Sequence, residues 1–409
     1  MRIKKGLLSC LLIISSIITL TGCLERIELN KLGIVSGIAI DKIDDTYTVT
    51  VQVLNPSAIS GETQNSLPVY NLKAEGKTIH EAYNRLNQIT STALFPSHLS
   101  AIVICEEFAK AGIAPLLNFA LRRTDIRPDI TILVAKGDRA SDVLNVLTAL
   151  DMIPATQLNI LSMVPAHTAR LTSYNLYTVV DMVNTSSINT VLNAVTIYRE
   201  EEHINENIKQ KNGVDGETSP NGSTIENILD IAVPVQLRIE HLAAFQGDKL
   251  VGFIDDHDAQ LYNMVMGENK RYAFMTRMDE DYYTSARITH VKSKIETDLV
   301  NNAATIKMKL DAIIIENTYP IDLTNKENLV VISDYLKKQI EKDMNNFIEK
   351  VQTELKSDIL GIGGKSYYQE NKVWKEKEGY WSEIFPKLTI NVEIEVNVDS
   401  VGEIGNVTL

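Results

Sequence analysis

The sequence predicts an α+β protein of more than one domain, with an α/β-like amino-terminal half and a carboxy-terminal half in which an antiparallel sheet is packed by a long amphipathic helix. Three observations point there. Strand-like and helix-like hydrophobic periods alternate three times across residues 69–147. A single apolar stripe at steps of three and four runs through 329–355. Between them, residues 200–226 are dominated by Glu, Asn, Lys, Gly, Ser and Thr and have scarcely any apolar side chain with which to build a core. The expected organisation is therefore a leader (1–22), a first region (23–199) of one or two subdomains, a polar linker (200–226) and a second domain (227–409).

The leader comes first. Arg2, Lys4 and Lys5 precede an apolar run over 6–20, which is followed by Leu20-Thr21-Gly22-Cys23. A basic head, a short apolar segment and small residues before a cut site make a secretory signal peptide. The last four residues have the form of a bacterial lipobox, in which a thiol carries diacylglycerol and small side chains admit the cleaving enzyme. The expected mature chain starts at Cys23, with diacylglycerol on its sulfur and an N-acyl chain on its amino group. An uncleaved anchor helix is the alternative; it wants about 20 apolar residues, and this run is shorter.

Charge limits the partners. The formal net charge is −13, and the leader contributes only basic residues, so the mature chain is more acidic still. No Lys/Arg-rich block interleaved with aromatics is present, so a nucleic-acid backbone has no basic face to displace its counterions. Adhesion to anionic lipid by charge is disfavoured for the same reason, which leaves the acyl chains as the membrane attachment. Of the three cysteines, Cys10 lies in the leader and Cys23 becomes a thioether. Only Cys105 stays a thiol, at the end of an apolar strand-like run, where it reads as a small core hydrophobe.

In chain order, residues 32–40, a polar turn at 41–45 and the alternating run Tyr47, Val49, Val51, Val53 against Thr46, Thr48, Thr50, Gln52 predict a half-buried β-hairpin. Residues 55–68 read as an exposed loop. Strands are expected near 69–74, 99–105 and 130–135, and helices over 77–92, over 108–121 with a break at Gly112 and Pro115, and after Gly137-Asp138. Over 150–190 a helix is expected at 174–183, with Pro154 and Pro165 as interruptions; a strand follows at 192–198. Past the linker come a hairpin turning at Gln246-Gly247-Asp248, a short helix over 255–266 ended by Gly267, and strands over 286–297 and 303–315. The long helix carries Leu329, Ile332, Leu336, Ile340, Met344, Phe347, Ile348, Val351 and Leu355 on one stripe. Thr324 with Glu327 suits a capping box at its start, and Gly361 with Gly363-Gly364 suits its far end. The alternation of Leu388, Ile390, Val392, Ile394, Val396 and Val398 predicts a final strand.

Chemistry has no visible home in this pattern. Asp255-Asp256-His257-Asp258 lacks a second group at ligand spacing and reads as a solvated, dipole-compatible helix start. Ile362-Gly363-Gly364-Lys365-Ser366 lacks the first glycine of a phosphate loop and follows a helix instead of a strand. The seven histidines show no His-x-x-x-His pair, and no Gly-x-Ser-x-Gly elbow occurs. No catalytic residue, metal site or cofactor is expected beyond the lipid on Cys23. Tyr367, Tyr368, Trp374, Tyr380, Trp381 and Phe385 gather both tryptophans of the chain in one short stretch. Such a cluster serves either as a satellite core or as a partner-binding surface.

Three stretches resemble one known family, the C-subunit lipoproteins of bacterial spore nutrient-germinant receptors (Ger(x)C). They are the segment from Cys23-Leu24-Glu25-Arg26 into Leu32-Gly33-Ile34-Val35-Ser36-Gly37, the turn Ala243-Ala244-Phe245-Gln246-Gly247-Asp248, and Asp358-Ile359-Leu360-Gly361-Ile362-Gly363 with Trp374, Trp381 and Phe385-Pro386 beyond. Leu24 departs from the pattern, in which many relatives place Trp. The resemblance marks Gly361, Gly363, Trp374, Trp381, Phe385 and Pro386 as family-motif residues and candidates for partner contact. It implies a lipid-anchored subunit on the outer face of the cytoplasmic (spore inner) membrane. There it would assemble with two integral membrane subunits in a complex that answers nutrients by starting germination. It assigns no catalytic residue and leaves open whether this subunit touches the germinant. The competing reading is a surface lipoprotein that binds a solute for an importer, which an α/β half would permit.

Overall fold

The structure is a computed structural model and describes residues 32–61, 66–147, 151–163, 169–199, 235–268, 271–279 and 281–400. The leader, Cys23 and the polar stretch 200–226 lie outside the described residues.

The chain opens with a hairpin, β1 (Leu32–Ile43) and β2 (Thr46–Leu54), then a single turn of helix, α1 (Pro56–Ile59), and β3 (Val69–Gly76). Helix α2 (Ile79–Leu86) buries Ile79, Ala82, Tyr83 and Leu86, and its cap Thr78 accepts a hydrogen bond from Glu81 N. Strand β4 (Ala93–Phe95) is a short addition beside the start of β1 that its three residues do not announce. Then come β5 (Ala101–Cys105), α3 (Glu106–Ala111), α4 (Ala114–Leu121), β6 (Thr131–Ala135), α5 (Ala140–Leu144), α6 (Pro154–Met163), α7 (Leu176–Asn184) and β7 (Val191–Arg199). Gly112 breaks α3 from α4 as expected, with φ 120°. Pro154 begins α6 instead of interrupting it, as suits the first helical turn.

The hairpin beyond the polar stretch, β8 (Val235–Gln246) and β9 (Lys249–Ile254), completes this first sheet, whose order is β3-β2-β1-β5-β6-β7-β8-β9 with β4 beside β1. Strands β1, β5, β6 and β7 are parallel neighbours and β8 returns antiparallel on β7. Its turn docks on the α3–α4 junction, where Asp248 O accepts from Ile113 N at 2.8 Å and Asp248 Oδ2 from Ala114 N at 3.2 Å. Both faces of the sheet centre are covered, since residues 35–41 of β1 are buried without a break. The polar side of β2 is therefore inside, contrary to a half-buried hairpin. Gln52 is fully buried and satisfied, donating to Leu144 O at 2.9 Å and accepting from Ala155 N at 3.2 Å.

The second sheet runs β10 (Tyr272–Arg277), β11 (Tyr283–Asp298), β12 (Ala303–Asn317) and β13 (Thr389–Ser400). It follows helix α8 (Asp256–Val265). Strands β10 to β12 are antiparallel, and β13 joins β12 in parallel because a long helical crossover returns the chain to the same end. That crossover begins with α9 (Lys326–Lys350), whose stripe buries Ile332, Leu336, Ile340, Met344, Phe347 and Ile348. Each contributes roughly 1.5–3 kcal/mol by leaving water. Facing them, Ala304, Ile306, Met308, Leu310, Ala312 and Ile314 alternate inward from β12. Helices α10 (Ile362–Gln369), α11 (Asn371–Lys377) and α12 (Trp381–Ile384) then lead to β13.

Both expected ends of α9 shift. Asn325, not Thr324, caps it by accepting from Glu327 N at 3.0 Å, because the Thr324 hydroxyl is already turned to Asp322 Oδ1 at 2.7 Å. At the far end the helix widens into a π-turn over Val351–Leu355 and stops at Lys356, which is left-handed with φ 50°. Gly361 is left-handed too, with φ 71°, but it opens α10.

Candidate functional site

The residues singled out by sequence converge where the second half of the chain is fastened to the first sheet. Lys356 O accepts from Gln246 Nε2 at 3.1 Å, the Ser357 hydroxyl donates to Phe245 O, and Asp358 O accepts from Asn189 N at 2.9 Å. Asn189 Oδ1 in turn accepts from Gly247 N at 2.9 Å. The β8–β9 turn, the loop before β7 and the segment after α9 are thus tied by short polar contacts.

Asp358 is the centre of this joint. It is 2% exposed, and its carboxylate accepts from Ile362 N at 3.0 Å, Gly363 N at 2.7 Å and Trp381 Nε1 at 2.9 Å. Burial pushes its carboxyl up to about 6, against hydrogen bonds from Gly363, Trp381, Ile362 and Gly361, which pull it down. With donors on both oxygens the geometry suits the carboxylate, so near-neutral pH finds it ionised and fully paired.

The glycines make room for this arrangement. A Cβ on Gly363 would meet Trp374 Cη2 at 2.7 Å, Trp381 Nε1 at 2.9 Å and Ser187 O at 3.0 Å. A Cβ on Gly361 would meet Ile188 Cδ1 at 3.0 Å, on a backbone already left-handed. Trp374 and Trp381 stack edge-on at 5.0 Å, and Phe385 lies 6.2 Å from Trp381. Gln352 Nε2 donates to Phe385 O and Leu388 O, and Pro386 sits half-buried in the turn between them. The aromatic cluster therefore splits: Trp374, Trp381 and Phe385 are core, while Tyr367, Tyr368 and Tyr380 are 45%, 84% and 64% exposed. Sequence had placed Asp358 within a motif without giving it a task. Its signal was an acid four and five residues ahead of the two N–H groups it accepts.

Elsewhere, acidic groups serve the fold. A cleft of about 620 Å³ at the carboxyl ends of β1, β5 and β6 is lined by Asp41, Lys42, Cys105, Glu106, Asp138 and Arg139 among others. Asp41 accepts from Ala140 N and Ser141 N, and Asp138 from Ile197 N. Cys105 Sγ accepts from Lys42 N and Phe108 N, and burial pushes its thiol up, away from the nucleophilic form. The Asp255–Asp258 segment is a helix start, as expected, but is cross-braced instead of merely solvated. Asp255 caps α8, Lys350 reaches Asp258 at 2.6 Å, and His257 Nε2 lies 3.1 Å from Asp343. Among the described residues no three His, Cys, Asp or Glu side chains are placed to share a metal ion.

Both halves of this architecture match family models. Residues 25–197 match the spore germination protein N-terminal domain, and residues 240–402 match the spore germination B3/GerAC-like C-terminal domain. The chain belongs to the Ger(x)C family. Among its relatives in Bacillus subtilis (strain 168), spore germination protein KC is 26% identical over 98% of this chain and 97% of its own length. Spore germination protein B3 is 22% identical over 95% and 96%. The crystal structure of the GerBC protein shares the fold, with a TM-score of 0.51 at 17% identity over 88% of this chain and 96% of that one. The second Ger(x)C match contains the whole Asp358–Trp381 joint. Membership gives the protein a germination-related role. No helix among the described residues is long and apolar enough to cross a membrane.

Proposed function

We propose that this Ger(x)C protein is a lipid-anchored, non-catalytic subunit of a membrane germinant-receptor complex that starts germination in response to nutrients. The observation that carries the reading is a complete lipobox, Leu20-Thr21-Gly22-Cys23, directly ahead of a chain matched by the family in both halves. Acyl chains on Cys23 hold the body at the outer face of the cytoplasmic membrane, where two integral membrane subunits are its partners. The non-catalytic part is supported by the employment of its buried acids: Asp41 and Asp358 are occupied by backbone N–H groups. Spores carrying only a Cys23→Ala variant, made at the wild-type level, are expected to lose the acyl anchor and the nutrient response together. A normal response from a chain shown by mass spectrometry to lack acyl groups overturns the requirement for anchoring.

One observation favours a second reading, solute capture for an importer: the cleft at the carboxyl ends of β1, β5 and β6 is where open α/β sheets hold ligands. Calorimetry of the protein with amino acids and sugars separates the two. Specific binding accompanied by a ligand-dependent rise in Tm supports the second.

A further inference from the structure

The first sheet has two unlike rims. At one, where β1 leaves and β2 begins, stand Asp41, Lys42, Asp44 and Asp45, with Glu106, Glu107, Asp138 and Arg139 beside them. The other is the rim where β1 starts, β2 ends, β3 starts and β4 lies: Leu54 pairs with Val69, and Leu32 with Ala93. Of the described residues on that side, 32–37, 50–61, 66–72 and 86–101 contain no Asp, Glu, Lys or Arg, although 23% of the chain is charged; Glu62, in the same loop as Ile59 and Leu67, lies outside the described residues. In the loop before β6, Arg123 pairs with Asp125 and Arg127 with Asp129.

This rim also exposes apolar side chains. Leu67 is 61% exposed, Ile89 56%, Tyr70 43% and Ile59 41%. They belong together in space. Asn55 bonds Pro68 O and Leu67 O across the α1 loop, and Thr92, three residues after Ile89, lies 2.8 Å from where a Gly33 Cβ would sit.

Chain length decides what faces this rim. Eight residues separate Cys23 from Leu32, a leash of roughly 30 Å when fully drawn out. Strand β1 is itself 12 residues long, roughly 36 Å from rim to rim. A lipid on Cys23 can therefore reach the bilayer with the β1-start rim beside it, but the leash is too short to run the length of β1 and present the charged rim instead. Inserting the charged rim would also cost the desolvation of its carboxylates, a cost that the uncharged described residues of the other rim do not incur.

We infer that the apolar rim around Ile59, Leu67, Tyr70 and Ile89 is a membrane-docking surface, seated on the lipid bilayer beside the Cys23 anchor. The inference rests on the anchor reading above. Its apolar side chains enter about 5–10 Å, to the boundary of headgroups and acyl chains. Docking fixes the orientation: β1 stands away from the membrane, and the charged rim with its cleft points outward.

The test uses the full-length acylated protein on phosphatidylcholine vesicles. Single Leu67→Cys, Ile89→Cys and Asp44→Cys variants are labelled with an environment-sensitive fluorophore. Labelling is selective because Cys23 is acylated and Cys105 is 2% exposed. Lipid-borne quenchers should reduce emission from positions 67 and 89 several-fold more than from 44, with a blue shift at the first two only. Equal, weak quenching at all three positions in protein that floats with the vesicles overturns the proposal. So does quenching at 67 and 89 that appears only when integral membrane subunits are added, which would make the rim a protein contact. Should the chain fail to float, the anchor reading falls separately. A polyhistidine tag in place of residues 1–23, held on nickel-chelating lipid, then repeats the measurement: lipid contact at 67 and 89 sustains the rim, and water contact overturns it.

Discussion

The indole N–H of Trp381 donates to Asp358 Oδ2 at 2.9 Å, across a helical excursion of more than twenty residues. Together with the Gly363 N–H on the same oxygen, it closes the α10–α12 segment into a loop whose neck is one buried carboxylate.

Replacing Asp358 by Asn keeps the shape and removes the charge that its N–H donors address. Losing hydrogen bonds to a charged acceptor and leaving a buried donor facing an amide N–H2 costs about 1.5–3 kcal/mol, so the variant should melt below wild type in calorimetry.

The pH dependence of this site has a definite sign. Folding raises the Asp358 carboxyl from 3.8 to about 6, so between those values the folded state holds a proton that the unfolded state has released. Its ionisation therefore costs stability as pH rises through that window, on the order of 3 kcal/mol when complete. Lowering the pH from 7 to 5 should widen the Tm gap in favour of wild type over Asp358→Asn; a gap that narrows contradicts this.

Gly363→Ala should destabilise more than Gly361→Ala. The first forces a methyl against two indoles and a backbone carbonyl within 3.0 Å, an overpacking cost of about 1–3 kcal/mol or more. The second meets the flexible end of Ile188 and a left-handed backbone that costs a non-glycine residue about 1–2 kcal/mol. Urea midpoints order the two variants.

Both tryptophans of the chain lie in this joint, Trp374 1% and Trp381 5% exposed. Native emission should be blue-shifted, and its loss on denaturation should follow the joint alone. Comparison with far-UV circular dichroism tests whether the first sheet unfolds with it or apart from it.

The exposed tyrosines offer the opposite experiment. Tyr367→Ser, Tyr368→Ser and Tyr380→Ser should each change stability by no more than about 0.5 kcal/mol. If this side of the joint meets a partner subunit, nutrient response falls while Tm holds, because interface tyrosines act through contact area.

What the sequence revealed was whatever depends on a local period. The α9 stripe, the β12 and β13 alternations and the break at Gly112 are all visible within a dozen residues. What stayed hidden depends on distant neighbours. Gln52 reads as a solvent-facing strand residue until Leu144 and Ala155, about a hundred positions later, pair its amide. Thr324 and Asn325 are equally good caps on paper, and Asp322 decides between them. Gly361 and Gly363 announced special backbone but not which helix they serve, and Asp358 acquires its role only once Trp381 is folded over it. The six-residue β10 is a strand because β11 is there to pair with it.

The hairpin β8–β9 adds a consequence for synthesis. As the chain emerges, β7 remains an open edge until the β8–β9 hairpin, which begins 36 residues after β7 ends, has been made. During that interval Val191, Leu192 and Val195 border an unpaired ladder, the kind of edge that recruits another chain. A protein cut anywhere in the polar stretch would keep that edge permanently, so fragments meant to isolate the first sheet should end after Ile254.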